Sequence, residues 1–306
     1  MFNKKTLLGV CVVATIIFGN QVYAAENGNS TYAPGSAQYF IADFPQQSGN
    51  YLQLLSYYSN ATQLNDDKGD EVKGSDLDLS IFAQTLRFIT VWDLDLFNAD
   101  VVSSELIGTF VNVDNSVNTP YGRFYDKDNG LADVIFSPLI FQWNLGEKKN
   151  IQTVAALSFV LPIGSYSNGS MMNVSNNRFA LQPVFGLRYK AESGLDIGIS
   201  PRFSFNWEND DTKYKTGTEF FADYMLGYKI GHWQPAIVGY YSTQLEDDEL
   251  NGVKLANSKT EGFGIGPAIQ YQFNNGALVS ASWQKDIVAK NKSEGDGFYL
   301  SAAIKY

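Results

Sequence analysis

The chain has 306 residues, 44% of them hydrophobic and 18% charged, with 21 Phe and 18 Tyr. That balance is too polar for a bundle of membrane helices and too aromatic for a disordered chain. Its 32 acidic and 22 basic residues leave a formal net charge of -10, so phosphate repulsion argues against a nucleic-acid partner. One His and one Cys in the whole chain leave almost no material for a zinc centre, a disulfide framework or a His-dependent nucleophile. No cofactor, metal site or catalytic residue is expected.

The first 24 residues read as an export signal. Lys4 and Lys5 form a basic start, Leu7 to Phe18 an apolar stretch, and Val22 and Ala24 place small residues around a cleavage point after Ala24. The apolar stretch is short of the roughly 20 residues a spanning helix needs. Cys11 lies inside it, with no small-residue pair before it to mark a lipoprotein. Removing Lys4 and Lys5 with the signal leaves 20 basic against 32 acidic residues, a mature charge of -12. Residues 25–48 follow without strand-like alternation, yet they carry Tyr39, Phe40, Ile41 and Phe44. Such side chains need shelter, and the expectation is a segment folded into the periplasmic half of the domain formed by residues 49–306, as a hatch over an apolar pocket; a flexible leader is the competing reading.

From residue 49 onward, apolar and polar residues alternate over segments separated by turn-forming clusters. The predicted strands are 50–58, 77–90, 99–111, 131–145, 150–161, 178–190, 195–208, 218–230, 234–245, 261–273, 277–288 and 297–306. Leu195, Ile197, Ile199, Pro201, Phe203 and Phe205 share one face of the seventh, opposite Asp196, Gly198, Ser200, Arg202 and Ser204. The second to fourth strands have mixed faces, and a bulge near Ser137-Pro138 is expected to shift one of them. Connectors after odd strands are long and polar (59–76, 112–130, 162–177, 209–217, 246–260, 289–296). Those after even strands are mostly tight (146–149, 191–194, 231–233, 274–276), with 91–98 the exception. Long loops on one side and short turns on the other are the pattern of outer-membrane barrels. Phe298, Leu300, Ala302, Ile304 and Tyr306 alternate up to an aromatic terminus, a form of last strand that the barrel assembly machinery reads. Tyr57, Tyr58, Trp143, Tyr189, Trp207, Tyr228 and Trp233 fall near strand ends, where interface girdles form. The predicted fold is an all-β, twelve-stranded antiparallel transmembrane barrel of the bacterial outer membrane, both termini periplasmic; a soluble β-sandwich is the competing reading.

Several local motifs add to this. Ala33-Pro34-Gly35, Tyr57-Tyr58-Ser59 and Leu64-Asn65-Asp66 come first, then Gly130-Leu131-Ala132-Asp133, Ser137-Pro138-Leu139, Trp143 and the run from Leu161 to Tyr166. Asn177-Arg178, Pro183, the run from Tyr214 to Glu219, Gly239-Tyr240-Tyr241 and the run from Gln244 to Asp248 complete the set. With these the chain resembles the family of outer-membrane proteins assigned to the meta-pathway of phenol degradation, related to the long-chain fatty-acid channels. Ala132 departs from it, standing where a second Gly is expected. The resemblance implies a passive transporter for hydrophobic or aromatic small molecules, such as phenol-like aromatics and fatty-acid or sphingoid-like lipids. It implies no catalytic residue.

Inward-facing polar residues are the candidates for the lumen and solute path: Arg178, Gln182, Arg188, Arg202, Glu219, Asp223 and Gln244, with Gly264 and the segment's Tyr39, Phe40 and Phe44. Arg on a lipid face near the midplane costs about 2–4 kcal/mol, so these positions should face inward. Gly262, Gly264 and Gly266 mimic a dinucleotide fingerprint, but Pro267 follows and no helix does; glycines that widen the lumen are the simpler reading. Asp66, Asp67, Asp70 and Glu71 lack the spacing and final Glu of a calcium loop, and they, like Asp247, Asp248 and Glu249, read as solvated loops. The alternatives in function are an outer-membrane lipase or protease and a general porin or adhesin. Known barrel enzymes of these types need a histidine, and His232 falls in a predicted periplasmic turn. Expected partners are outer-membrane lipid, an apolar solute and the assembly machinery.

Overall fold

The computed structural model describes Glu26 and residues 30–119, 122–168, 170 and 172–306; the predicted signal, with Cys11, lies outside these. A short 3-10 turn at Gln38–Phe40 precedes β1 (Gly49–Leu64), β2 (Asp76–Trp92), β3 (Val101–Thr119), β4 (Gly122–Leu131) and β5 (Val134–Leu145). Then come β6 (Ile151–Leu161), β7 (Ala180–Lys190), β8 (Leu195–Asn206), β9 (Tyr214–Lys215), β10 (Glu219–Tyr228) and β11 (Trp233–Gln244). The chain ends with β12 (Glu249–Leu250), β13 (Val253–Lys254), β14 (Glu261–Gln272), β15 (Leu278–Lys290) and β16 (Ser293–Lys305).

Each long strand pairs antiparallel with its neighbours, β1 closes onto β16 from Tyr51 opposite Lys305 to Leu64 opposite Ser293, and β2 pairs with β3. Nothing remains of a sheet edge along the wall, which rules out the open sandwich. β4 and β5 count as one wall strand, since β3 pairs with β4 over its outer half and with β5 over its inner half. The barrel therefore has twelve strands. Pairing of β5 with β6 shifts register between Phe136 and Ile140, around Pro138, which cannot donate to the ladder.

Alternation explains the facing. Along β8, Ile197, Ile199 and Phe205 stand exposed on the outer surface while Asp196, Gly198 and Ser204 are buried inside, and Leu226, Ile237, Ile269, Leu300 and Ile304 continue the outer apolar belt. An apolar exterior around a polar interior is stable only with lipid outside. Short turns and the last residues of β16 share one end of the barrel, called here the turn end; the opposite loop end carries the long connectors and a small sheet of β9, β12 and β13.

Wall strands run well into three of the long predicted connectors. β1 runs on to Leu64, β15 and β16 meet at a tight turn on Asn291 and Lys292, and β3 and β4 pair from Phe110 opposite Leu131 to Thr119 opposite Gly122. These extensions carry polar residues on both faces, so they show no apolar alternation and polarity alone made them look like loops. At the β15–β16 turn, Asn291 takes a left-handed φ of 51°, and its side-chain amide donates to Asn257 O and Lys259 O, which ties a long loop to the turn.

Candidate functional site

Residues 30–48 run down the inside of the barrel, and polar residues of β7, β8, β10, β11, β15 and β16 hold them along their length. Near the loop end Ser30 and Thr31 donate to Glu219, at 2.7 and 3.0 Å. One turn lower, Asp223 accepts Tyr32 Oη at 2.6 Å and the backbone N–H groups of Gly35 and Ala37 at 2.8 and 2.9 Å. Burial, with Asp223 beside it, pushes the Tyr32 phenol far above its ordinary value, so it stays a donor. Gln284 donates to Gly35 O and Tyr39 Oη to Gln234 O. Below that, Arg188 forks onto Asp196 with two 2.7 Å bonds and donates to the carbonyls of Tyr39 and Ile41.

At the turn end Lys190 Nζ lies 2.6 Å from Asp43, and Phe44 N–H donates to Gln142 at 2.9 Å. Burial pushes the Asp43 carboxyl up, but Arg188 and Lys190 together outweigh it and hold it below its ordinary 3.8. Two glycines let the segment lie against the wall. A Cβ on Gly186 would stand 2.9 Å from Ala42 Cβ, and one on Gly198 2.9 Å from Ile41 Cγ2. Glu26, near Asn209 among the loops, accepts from its amide, so the described chain reaches from loop level to the turn-end rim and is not confined to the turn-end half.

The opposite side of the lumen stays open. Between the segment and the inner faces of β1, β2, β3, β5 and β6 lies a cavity of about 480 Å³. Its wall is largely apolar, with Leu55, Ile81, Ile107, Val111, Ile135 and Val154, and the segment contributes Phe40 and Phe44. Toward the turn end the cavity meets Arg87, which pairs with Glu105 and donates to Gln53, its guanidinium 5.4 Å from the Phe44 ring centre. Below them Ile89, Val91, Val101 and Ile140 pack against Phe44 and Ile41 as an apolar floor.

The sequence-derived candidates divide into three groups. Phe40, Phe44, Arg202 and Glu219 line the cavity; Arg202 donates to Gln182 at 2.7 Å and covers the Tyr32 ring at 4.2 Å. Gln182, Arg188, Asp223 and Tyr39 grip or form the segment. Arg178, Gln244 and Gly264 do not line the cavity. Arg178 is buried near the loops, with Asp248 in its field. Gln244 donates to Asp248 and accepts from Thr260 N–H, binding loop to strand. Gly264 does not widen the lumen, because a Cβ there would meet the Tyr240 ring at 2.4 Å; its bareness seats that ring.

Asp248 is not solvated. It is fully buried and accepts from Tyr214 Oη, Gly217 N–H and Gln244, and burial raises its carboxyl against these bonds. Asp66 accepts the N–H groups of Lys68 and Asp70, capping its own turn. Arg87, Glu105 and Gln142 are site residues that alternation did not single out. Arg87 and Glu105 are diagonal neighbours across β2 and β3, and two opposite charges in mixed-face strands were the available signal.

A closed wall with an apolar belt outside and a charge-compensated network inside defines a protein of the outer-membrane barrel class. The chain belongs to the family described as "Putative MetA-pathway of phenol degradation", whose model matches residues 59–302. In fold it is similar to an outer membrane channel from Pseudomonas putida F1, at 14% identity over 90% of this chain and 100% of that one, with a TM-score of 0.74. It is also similar to the beta domain of the Bordetella autotransporter BrkA, at 9% identity over 85% of this chain and 100% of that one, with a TM-score of 0.51. Comparison with curated proteins gave no match.

Proposed function

We propose that the chain, exported by a signal cleaved after Ala24 and inserted by the barrel assembly machinery, is a passive channel for hydrophobic or aromatic small molecules across the bacterial outer membrane. The turn end is then periplasmic and the loop end extracellular. The carrying observation is the cavity of about 480 Å³ between a bound segment and an apolar wall. A solute gains about 25 cal/mol for each Å² of apolar surface it buries there, and it moves beside the segment.

The segment acts as a fixed inner wall. Its anchors run from Glu219 through Asp223 and Arg188 to Gln142, and hydrogen bonds to charged groups contribute about 1.5–3 kcal/mol each. Swinging it out as a hatch would break them together. The periplasmic floor around Phe44 is the part a solute must part to leave. No reaction is proposed: His232 sits in the turn before β11, its Nδ1 2.8 Å from Gln272 O, away from the cavity.

Deleting residues 27–46 while keeping the signal tests this reading. The bore should widen, giving higher single-channel conductance in planar bilayers and altered uptake of apolar solutes. Unchanged conductance would overturn the role of the segment.

A further inference from the structure

A second, smaller cavity of about 140 Å³ opens beside the main one, against the inner faces of β1, β11, β15 and β16. Its chemistry differs from that of the apolar wall. Tyr57 and Tyr299 form an aromatic pair with ring centres 4.5 Å apart, and Tyr240 supplies a third ring. A polar end faces these rings. Tyr240 Oη donates to Asp286 Oδ1, Lys292 Nζ lies 3.1 Å from Tyr240 Oη, and the same Nζ stands 3.9 Å from Asp286 Oδ2.

This polar end has capacity left over. Among the described residues the Lys292 ammonium, with three protons, donates one hydrogen bond, and Asp286 Oδ2 accepts only a 3.3 Å bond, from Gly295 N–H. Donor and acceptor 3.9 Å apart can both reach one oxygen that accepts from Lys292 and donates to Asp286. A hydroxyl group does both; a carboxylate offers Asp286 nothing but repulsion, and an ammonium repels Lys292. Gln284 also lines the pocket, is 4% exposed, and has no hydrogen-bond partner for its Oε1 among the described residues. An engineered cavity of about 150 Å³ takes one benzene molecule, so the volume suits a single ring.

We propose that this side pocket binds one hydroxylated aromatic ring, a phenol or a catechol, with the ring against the tyrosines and the hydroxyl bridging Lys292 and Asp286. The inference rests on the channel reading and extends it: apolar solutes travel along the main cavity, and hydroxylated rings pause in the side pocket. Pro34, Tyr57, Ile81, Lys292 and Tyr299 line both cavities, so the two communicate.

The test is calorimetric titration of the full-length protein in detergent micelles with phenol, and with toluene and cyclohexanol as probes lacking the hydroxyl or the aromatic face. Phenol should bind saturably at one site and more tightly than either control. Lys292→Met should weaken phenol by about tenfold, the equivalent of one hydrogen bond to a charged group, and leave toluene unchanged. Ser59→Leu, which fills the pocket from β1 outside the main cavity, should abolish phenol binding while single-channel conductance persists. No saturable phenol binding, equal binding of the three probes, or phenol binding indifferent to both substitutions would overturn the proposal. Phenol binding as expected in a protein that conducts nothing would leave the pocket standing and remove the channel reading.

Discussion

Arg188 shows what a single inward residue does in this lumen. It is almost fully buried, neutralises Asp196, and holds two carbonyls of the inner segment. Removing one partner of a buried ion pair costs about 3–5 kcal/mol because the other charge is left unpaired. Arg188→Ala should therefore lower the temperature at which the purified barrel loses its folded electrophoretic mobility. Arg202→Ala, at a partly exposed site facing the cavity, should cost only about 1 kcal/mol, and equal losses would mean that the segment is not braced at Arg188.

Asp43 gives this brace a pH dependence. Its carboxyl is held below 3.8 by Arg188 and Lys190, so its contribution is present above the unfolded value and disappears as pH falls through the lower folded one. A fluorescent label at position 48 should report a docked segment from neutrality down to about pH 4 and release only below it; release near pH 6 would contradict the ion pair. Arg188 and Asp223 are buried on the face that alternation assigns to residues lipid cannot accept. The sequence could not say that they grip another part of the chain, since facing follows from alternation whereas partnership follows from the path of a segment with no periodicity.

At the scale of elements, the inner segment and the wall are matched by absence of side chains as much as by hydrogen bonds. Gly198 in β8 sits under Ile41 with no room for a Cβ. Gly198→Leu should push the segment off the wall without altering strand pairing. Higher conductance with unchanged folded mobility is the expected outcome, and unaltered conductance would show that the contact does not position the segment. Alternating strands such as β8 and β14 were legible because one face meets lipid and the other cannot. The upper halves of β3 and β4 were not, since polar residues on both of their faces leave no alternation to read. Asp248 failed for a related reason: an acidic triplet has the composition of a solvated loop, and only the fold brings Tyr214 and Gln244 around its middle member.

At the scale of the whole molecule, closure of β1 on β16 and the sorting of long and short connectors fix which positions share an end. A tag inserted at Asp67, exposed in the loop after β1, should be labelled on intact cells, and one at Lys148, exposed in the turn before β6, only after the outer membrane is breached. The reverse result would invert the barrel. Closure and connector sorting were the most readable features of the sequence because they depend on count and spacing and need no side-chain partner.

The inner segment leans on one half of the barrel and leaves the other half bare, and this asymmetry bears on how such a protein can be remodelled. Residues that keep the segment in place lie chiefly on β7 to β11 and β15 to β16, whereas much of the cavity wall lies on β1 to β6. Changes at well-separated positions combine with little interference. Ile81, Ile107, Val111 and Ile135 are therefore free to trade volume and polarity, and the cavity to change in size and character, while the strap and the barrel that carries it keep their fit.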